Sequence, residues 1–112
     1  MKYGNRRVQW GGVTYDSQKE ASRGIELRHL AQLGEIEGLV VHPTFTLQPA
    51  FTHAGKKYRA VTYTADFAYT EKGRRIVEDV KGGSATKTES YRIRKRLLLY
   101  QHGGSIDEFR ES

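Results

Sequence analysis

At 112 residues with 37% hydrophobic content, the chain is sized for a single domain, 1–112, with a real core and no room for a second. The absence of cysteine excludes disulfides, thiolate metal sites and cysteine nucleophiles; no apolar run is long enough to span a bilayer, and the first residues lack a signal peptide's apolar core, so a cytoplasmic location is expected. A count of 19 Lys+Arg against 13 Asp+Glu gives a net charge of +6, a balance that suits a polyanionic partner, nucleic acid before membrane.

Residues 1–7 are basic and polar and read as a flexible N-terminal arm carrying Lys2, Arg6 and Arg7. Residues 7–10 and 13–15 then form a tight hairpin, because Gly11-Gly12 tolerates the positive φ of a two-residue turn; Trp10 is expected in its core. Ser17, with Glu20 three positions on, is a capping-box pattern that opens a helix running to about Leu33 and stopping at Gly34. At 100° per residue its buried stripe holds Leu27, Leu30, Ala31 and Gly34, with Gly24 and the carboxylate of Glu20 on the same stripe. Short strands are expected at 39–42, ended by Pro43, and around Pro49 at 45–48 and 51–53. Residues 61–69 read as one strand, paired through a turn at 71–74 with a second over 76–82. A flexible link at 82–86 leads to a second helix, 89–102, with Ile93, Leu97, Leu98 and Tyr100 on an apolar arc. Residues 105–109 form a last strand or a tail. The order implies an α/β (α+β) fold, a mixed central sheet flanked by helices with an N-terminal β-hairpin.

The central hairpin places charge where a sheet should be apolar. Side chains alternate, so Asp66 shares a face with Thr62 and Thr64, and Asp79 and Lys81 share one with Val77. Such charges are costly unless they are paired, wet or holding a metal. Two carboxylates on adjacent strands, with the Val80 carbonyl, suit a hard divalent cation, Mg²⁺ with Mn²⁺ as a substitute, and Lys81 can orient a water or stabilise developing charge. The competing reading is a surface Asp–Lys pair on a half-exposed hairpin. Glu20 either completes its capping box alone or joins that site. Alternation puts Glu78 on the opposite face, structural or exposed at the sheet edge. His29, His42, His53 and His102 have no metal-ligand spacing, which argues against zinc and HNH-type chemistry, and no G-x-G-x-x-G or Walker A loop suggests a nucleotide cofactor. Lys87, Arg92, Lys95 and Arg96 offer contacts to DNA phosphates, and Tyr91 and Lys95 share a helical face that can approach the site from beyond Lys81.

Asp66 followed by Asp79-Val80-Lys81 resembles the D…(D/E)-x-K core of the PD-(D/E)xK nuclease superfamily, and Glu20 matches the helix-borne acid of many members. More closely, the chain to about Tyr100 is similar to a family of small phage and prophage proteins resembling Holliday-junction resolvases. The motifs that carry this are the start at 2–5, the segment 15–21, Phe45 to Pro49, Tyr63 to Phe67 and Val77 to Gly82; Ala65 stands where the superfamily's name expects proline. The resemblance implies a restriction-endonuclease-like core: a helix, a three-stranded meander, a second helix and a further strand. It implies a metal-dependent endodeoxyribonuclease acting on branched, four-way DNA, with Asp66, Asp79 and Lys81 catalytic, Glu20 an added ligand, and a homodimer to match a two-fold junction. Two other readings remain: a non-catalytic DNA-binding or packaging-accessory protein, and a nickase or repair endonuclease acting on unbranched DNA.

Overall fold

The computed structural model describes residues 7–81 and 88–112. Lys2, Arg6, Lys87 and the expected link at 82–86 lie outside the described residues. The fold is mixed α+β: a four-stranded mixed sheet, two helices and an N-terminal hairpin.

That hairpin pairs β1 (Val8–Trp10) with β2 (Val13–Tyr15), closed by Gly11 and Gly12 at φ of 61° and 81°, values that only glycine adopts cheaply. Trp10 is not core as expected: it is exposed, and its ring lies 5.0 Å from the Arg28 guanidinium on the first helix. Helix α1 (Gln18–Gln32) begins at Ser17, whose Oγ accepts from the Glu20 amide at 3.1 Å. Glu20 reaches back one residue further than a standard capping box and accepts the Asp16 amide at 3.0 Å. The helix ends in a Schellman motif, Gly34 donating to the Ala31 carbonyl and Glu35 to that of Leu30. Its buried face is Glu20, Ala21, Gly24 and Leu27. Gly24 sits against Tyr15 so closely that a Cβ there would lie 2.8 Å from the phenol oxygen.

The sheet order is β10-β9-β8-β3. Strands β3 (Glu37–Val41), β8 (Phe67–Glu71) and β9 (Arg74–Asp79) run antiparallel in turn. Strand β10 (Glu108–Glu111) lies parallel to β9, and α2 (Glu89–His102) makes the crossover that a parallel pair requires. Between β3 and β8 the chain inserts a second ladder, β4 (Thr44–Gln48) with β7 (Val61–Thr64), and beyond it a ribbon, β5 (Phe51–His53) with β6 (Lys56–Tyr58).

The expected single strand over 61–69 is therefore two, broken at Ala65–Asp66. Opposite the break stand His42, at a φ of 58°, and Pro43, which has no N–H to give a ladder. The two bends are bonded to each other, His42 N donating to Asp66 O at 2.9 Å and Ala65 N to Pro43 O at 3.0 Å. The strand pair turns as a unit, and Asp66 sits on the corner.

One core cluster, with Tyr15, Leu27, Phe67 and Ile76, lies under α1; the other, with Leu47, Tyr63, Val77 and Leu98, lies under α2. The expected apolar arc of α2 is not buried as a whole: Leu98 alone is, while Ile93, Leu97 and Tyr100 are exposed. Nor is Glu78 at an exposed edge. It is 0% exposed, in the α1-side layer, and receives Arg23 Nε at 2.7 Å, Arg23 Nη2 at 3.1 Å, Tyr69 OH at 2.5 Å and Ser112 Oγ at 2.6 Å. Burial by itself would raise its pKa, but these donors outweigh that and hold it below the usual carboxylate range. Among the described residues no helix is long and apolar enough to cross a membrane.

Candidate active site

At the end of the sheet where β7, β8 and β9 meet the start of α1, an open cleft of about 270 Å³ is bordered by Glu20, Asp66, Asp79, Val80 and Lys81. These are the five residues expected to form one site, and the fold brings them together from α1, the corner after β7, and β9 with its extension.

Asp66 and Asp79 are locked to each other through the backbone. The Asp66 amide donates to Asp79 Oδ1 at 3.0 Å, and Asp66 Oδ2 accepts from the Val80 amide at 2.7 Å. Asp79 Oδ2 takes the Tyr63 hydroxyl and lies 3.6 Å from Lys81 Nζ. Burial, and then the Asp79 carboxylate, keep the Tyr63 phenol protonated and therefore a donor. Lys81 Nζ sits 3.7 Å from the centroid of the Tyr91 ring, and its carbonyl accepts from Lys19 Nζ at 2.5 Å. The ammonium is thus held between an aromatic face and a carboxylate.

Glu20 is 2% exposed, and His42 Nε2 lies 2.7 Å from its Oε2. Ligand atoms of Glu20, His42 and Asp66 lie within 4.8 Å of one another, close enough for one cation. The carboxylate oxygens suit a hard divalent ion, and the imidazole nitrogen extends the set towards a transition ion. Both Glu20 oxygens already have partners, so a cation at Asp66 would share Oε2 with His42 or take it over. Burial pushes the Asp66 carboxyl up to about 7; the Val80 amide opposes this, while the charges of Glu20 and Asp79 add to it. That accumulation of negative charge is what a cation relieves.

The expected DNA contacts are more dispersed. Arg92, Lys95 and Arg96 line a separate groove along α2, which meets the cleft at Tyr91. Lys95 is already engaged, 3.3 Å from Glu111 and 4.7 Å from the Phe109 ring. Arg7 is exposed beside the N-terminal hairpin. Sequence reasoning missed His42, Tyr63 and Arg94 as parts of the site. Arg94 borders the cleft and ties α2 to β7 by donating to the Thr62 carbonyl at 2.6 Å. Tyr91 was expected to approach the site from α2, on the helical face that it shares with Lys95, and it borders the cleft beside Lys81.

Residues 1–110 match the family described as "Protein of unknown function (DUF1064)". The chain belongs to that family. No curated protein and no solved structure matches this DUF1064 chain.

Proposed function

We propose that this protein is a divalent-metal-dependent endodeoxyribonuclease of the PD-(D/E)xK type, acting on branched DNA as a homodimer in the cytoplasm. The observation that supports this best is the convergence, in one open cleft of a basic protein, of Glu20, Asp66 and Asp79 with Lys81.

In this reading Glu20 and Asp66, whose carboxylate oxygens converge, would hold Mg²⁺, or Mn²⁺ in its place, with Asp79 and the Val80 carbonyl as further ligands. The ion, when bound, supplies charge neutralisation at the scissile phosphate and a lowered pKa for an attacking water. Tyr63 fixes the Asp79 carboxylate by donating to Oδ2, and the Val80 amide fixes that of Asp66. Lys81 brings its ammonium to the cleft, where it orients the nucleophilic water or meets the charge that grows on the phosphoryl oxygens. Tyr91 keeps that ammonium in place from the other side. Arg94, at the cleft rim, contacts a flanking phosphate.

The test is an assay of purified protein with Mg²⁺ on a four-way junction, a flap, a nicked duplex and an intact duplex. Metal-dependent cutting of the junction above the others is the expected result. Equal cutting of all four leaves a nuclease but not a resolvase. Binding without cutting by wild-type protein overturns the enzyme reading in favour of a DNA-binding accessory protein.

A further inference from the structure

The β5–β6 ribbon stands apart from everything else in the fold. Residues 48–61 are exposed throughout, on both faces of the ribbon. An isolated two-stranded ribbon is marginal in water, and two aromatics on its surface call for an occupant. Phe51 and Tyr58 are directly opposed in the ladder, their rings 4.8 Å apart and 7° from parallel. His53 and Lys56 form the neighbouring opposed pair on the same face, and Lys56 Nζ lies 5.3 Å from the Tyr58 ring centroid. Lys57, paired with Thr52, points to the other face, and Arg59 follows the end of the strand.

The charge around the ribbon has one sign. No Asp or Glu occurs between Glu37 and Asp66, a stretch that contains Lys56, Lys57 and Arg59. The base of the ribbon is firm. Gln101 donates to the Leu47 carbonyl at 2.9 Å, His102 Nε2 lies 2.8 Å from the Thr46 carbonyl, and Arg94 holds that of Thr62, so α2 clamps the β4–β7 ladder from which the ribbon projects. The other end of that ladder, at Thr64, borders the cleft. Lys56 is eight positions along the chain from Thr64, with Arg59 and Ala60 between the two strands, so the two lie at most roughly 26 Å apart. That is less than one turn of duplex DNA, about 34 Å.

We propose that the β5–β6 ribbon is a second DNA-binding site, with Lys56, Lys57 and Arg59 on phosphates and the Phe51–Tyr58 pair as a stacking platform for a base unstacked at a branch point. The phosphate component is sequence-independent and salt-sensitive, and the aromatic component favours DNA with exposed base faces. This inference rests on the reading of the protein as acting on DNA, though not on its being a nuclease.

Binding is measured in EDTA, so that cleavage plays no part, by fluorescence anisotropy of a labelled four-way junction and of a linear duplex with the same arm sequence. Lys56→Glu/Lys57→Glu is expected to bind both DNAs about tenfold more weakly and with a shallower salt dependence. Phe51→Ala/Tyr58→Ala is expected to lose about tenfold on the junction and less on the duplex. Both variants are expected to keep the wild-type circular-dichroism melting midpoint, because residues 48–61 are exposed and belong to neither core cluster. Wild-type affinity in both variants overturns the inference, as does a wild-type protein that binds neither DNA. Unchanged DNA affinity with a shift from dimer to monomer on sedimentation reassigns the ribbon to a second copy of the chain. Ribbon-dependent binding by a protein that cuts no DNA in Mg²⁺ sinks the nuclease reading alone.

Discussion

Asp66 gives its amide to the carboxylate of Asp79 at 3.0 Å while its own carboxylate is held by the amide that follows Asp79, so neither acid can be moved without disturbing the other. Asp79→Asn keeps the shape and one oxygen to accept from Tyr63, but removes the charge and the second oxygen that accepts from the Asp66 amide. Metal-dependent cleavage is expected to fall about 10²–10³-fold, with junction binding in EDTA retained. Asp79→Ala also strands the buried Tyr63 hydroxyl, and is expected to cost about 1–3 kcal/mol in urea denaturation that Asp79→Asn does not. Equal stability of the two variants would show that the Tyr63 contact contributes nothing.

Asp66 sets a pH dependence. Its carboxyl is raised from 3.8 to about 7, chiefly by burial, so between those values the native state keeps a proton that the unfolded chain has released. Stability of the metal-free protein from this group is complete below about pH 4 and is lost as pH rises through about 7. Urea midpoints in EDTA should therefore decline over that range, and added Mg²⁺ should restore more stability at pH 8 than at pH 5, as metal and proton compete for one carboxylate. A flat profile in EDTA would contradict this.

Glu78 depends on Arg23 for its only opposite charge among the described contacts of its carboxylate. Arg23→Met leaves a fully buried carboxylate with only neutral donors. The expected loss is about 3 kcal/mol, read as a lowered denaturation midpoint. Pairing it with Glu78→Gln should recover part of that loss, since the charge is then gone.

Gly24→Ala tests the route from scaffold to site. The new methyl meets Tyr15, whose ring lies edge-on to His42 at 6.0 Å between centroids, and His42 holds Glu20. The substitution is expected to cost about 1–3 kcal/mol despite alanine's better helix propensity. A stabilised protein would mean that Tyr15 yields freely.

Ile93, Leu97 and Tyr100 fall at i, i+4 and i+7 on α2, a stripe that faces solvent, with Tyr100 85% exposed. Such a stripe can pack against its own copy across a two-fold axis. Leu97→Glu is expected to convert a dimer to a monomer in sedimentation, leaving the circular-dichroism spectrum unchanged; a wild-type protein that is monomeric with junction DNA bound excludes the dimer.

Much of this was legible in the residues. Gly11-Gly12 marked the first hairpin, Ser17 and Gly34 bounded α1, and α2 runs over 89–102 as expected. Alternation separated Asp79 from Glu78, and the helical stripe turned Glu20 inward. The break at Ala65–Asp66 was not legible, because Tyr63, Ala65 and Phe67 are all buried and alternation runs through it without a fault. Its cause lies across the ladder, in His42 and Pro43. His42 reached the site the same way, delivered by a bend and not by spacing. The exposure of α2 was hidden too, since periodicity shows which residues share a face and not whether anything covers it.

The excursion from β4 to β7 leaves and rejoins the central sheet at a single point, where His42 and Pro43 are bonded to Ala65 and Asp66. A segment with adjoining ends ordinarily behaves as a cassette, open to shortening or exchange for another of different reach. Here Tyr63, inside the cassette, supplies the hydroxyl that steadies Asp79 outside it. The outer ribbon can therefore be cut back or replaced beyond Gln48 and Val61 with the cleft intact, but a graft that takes Tyr63 with it removes one support of the acid it was meant to leave alone.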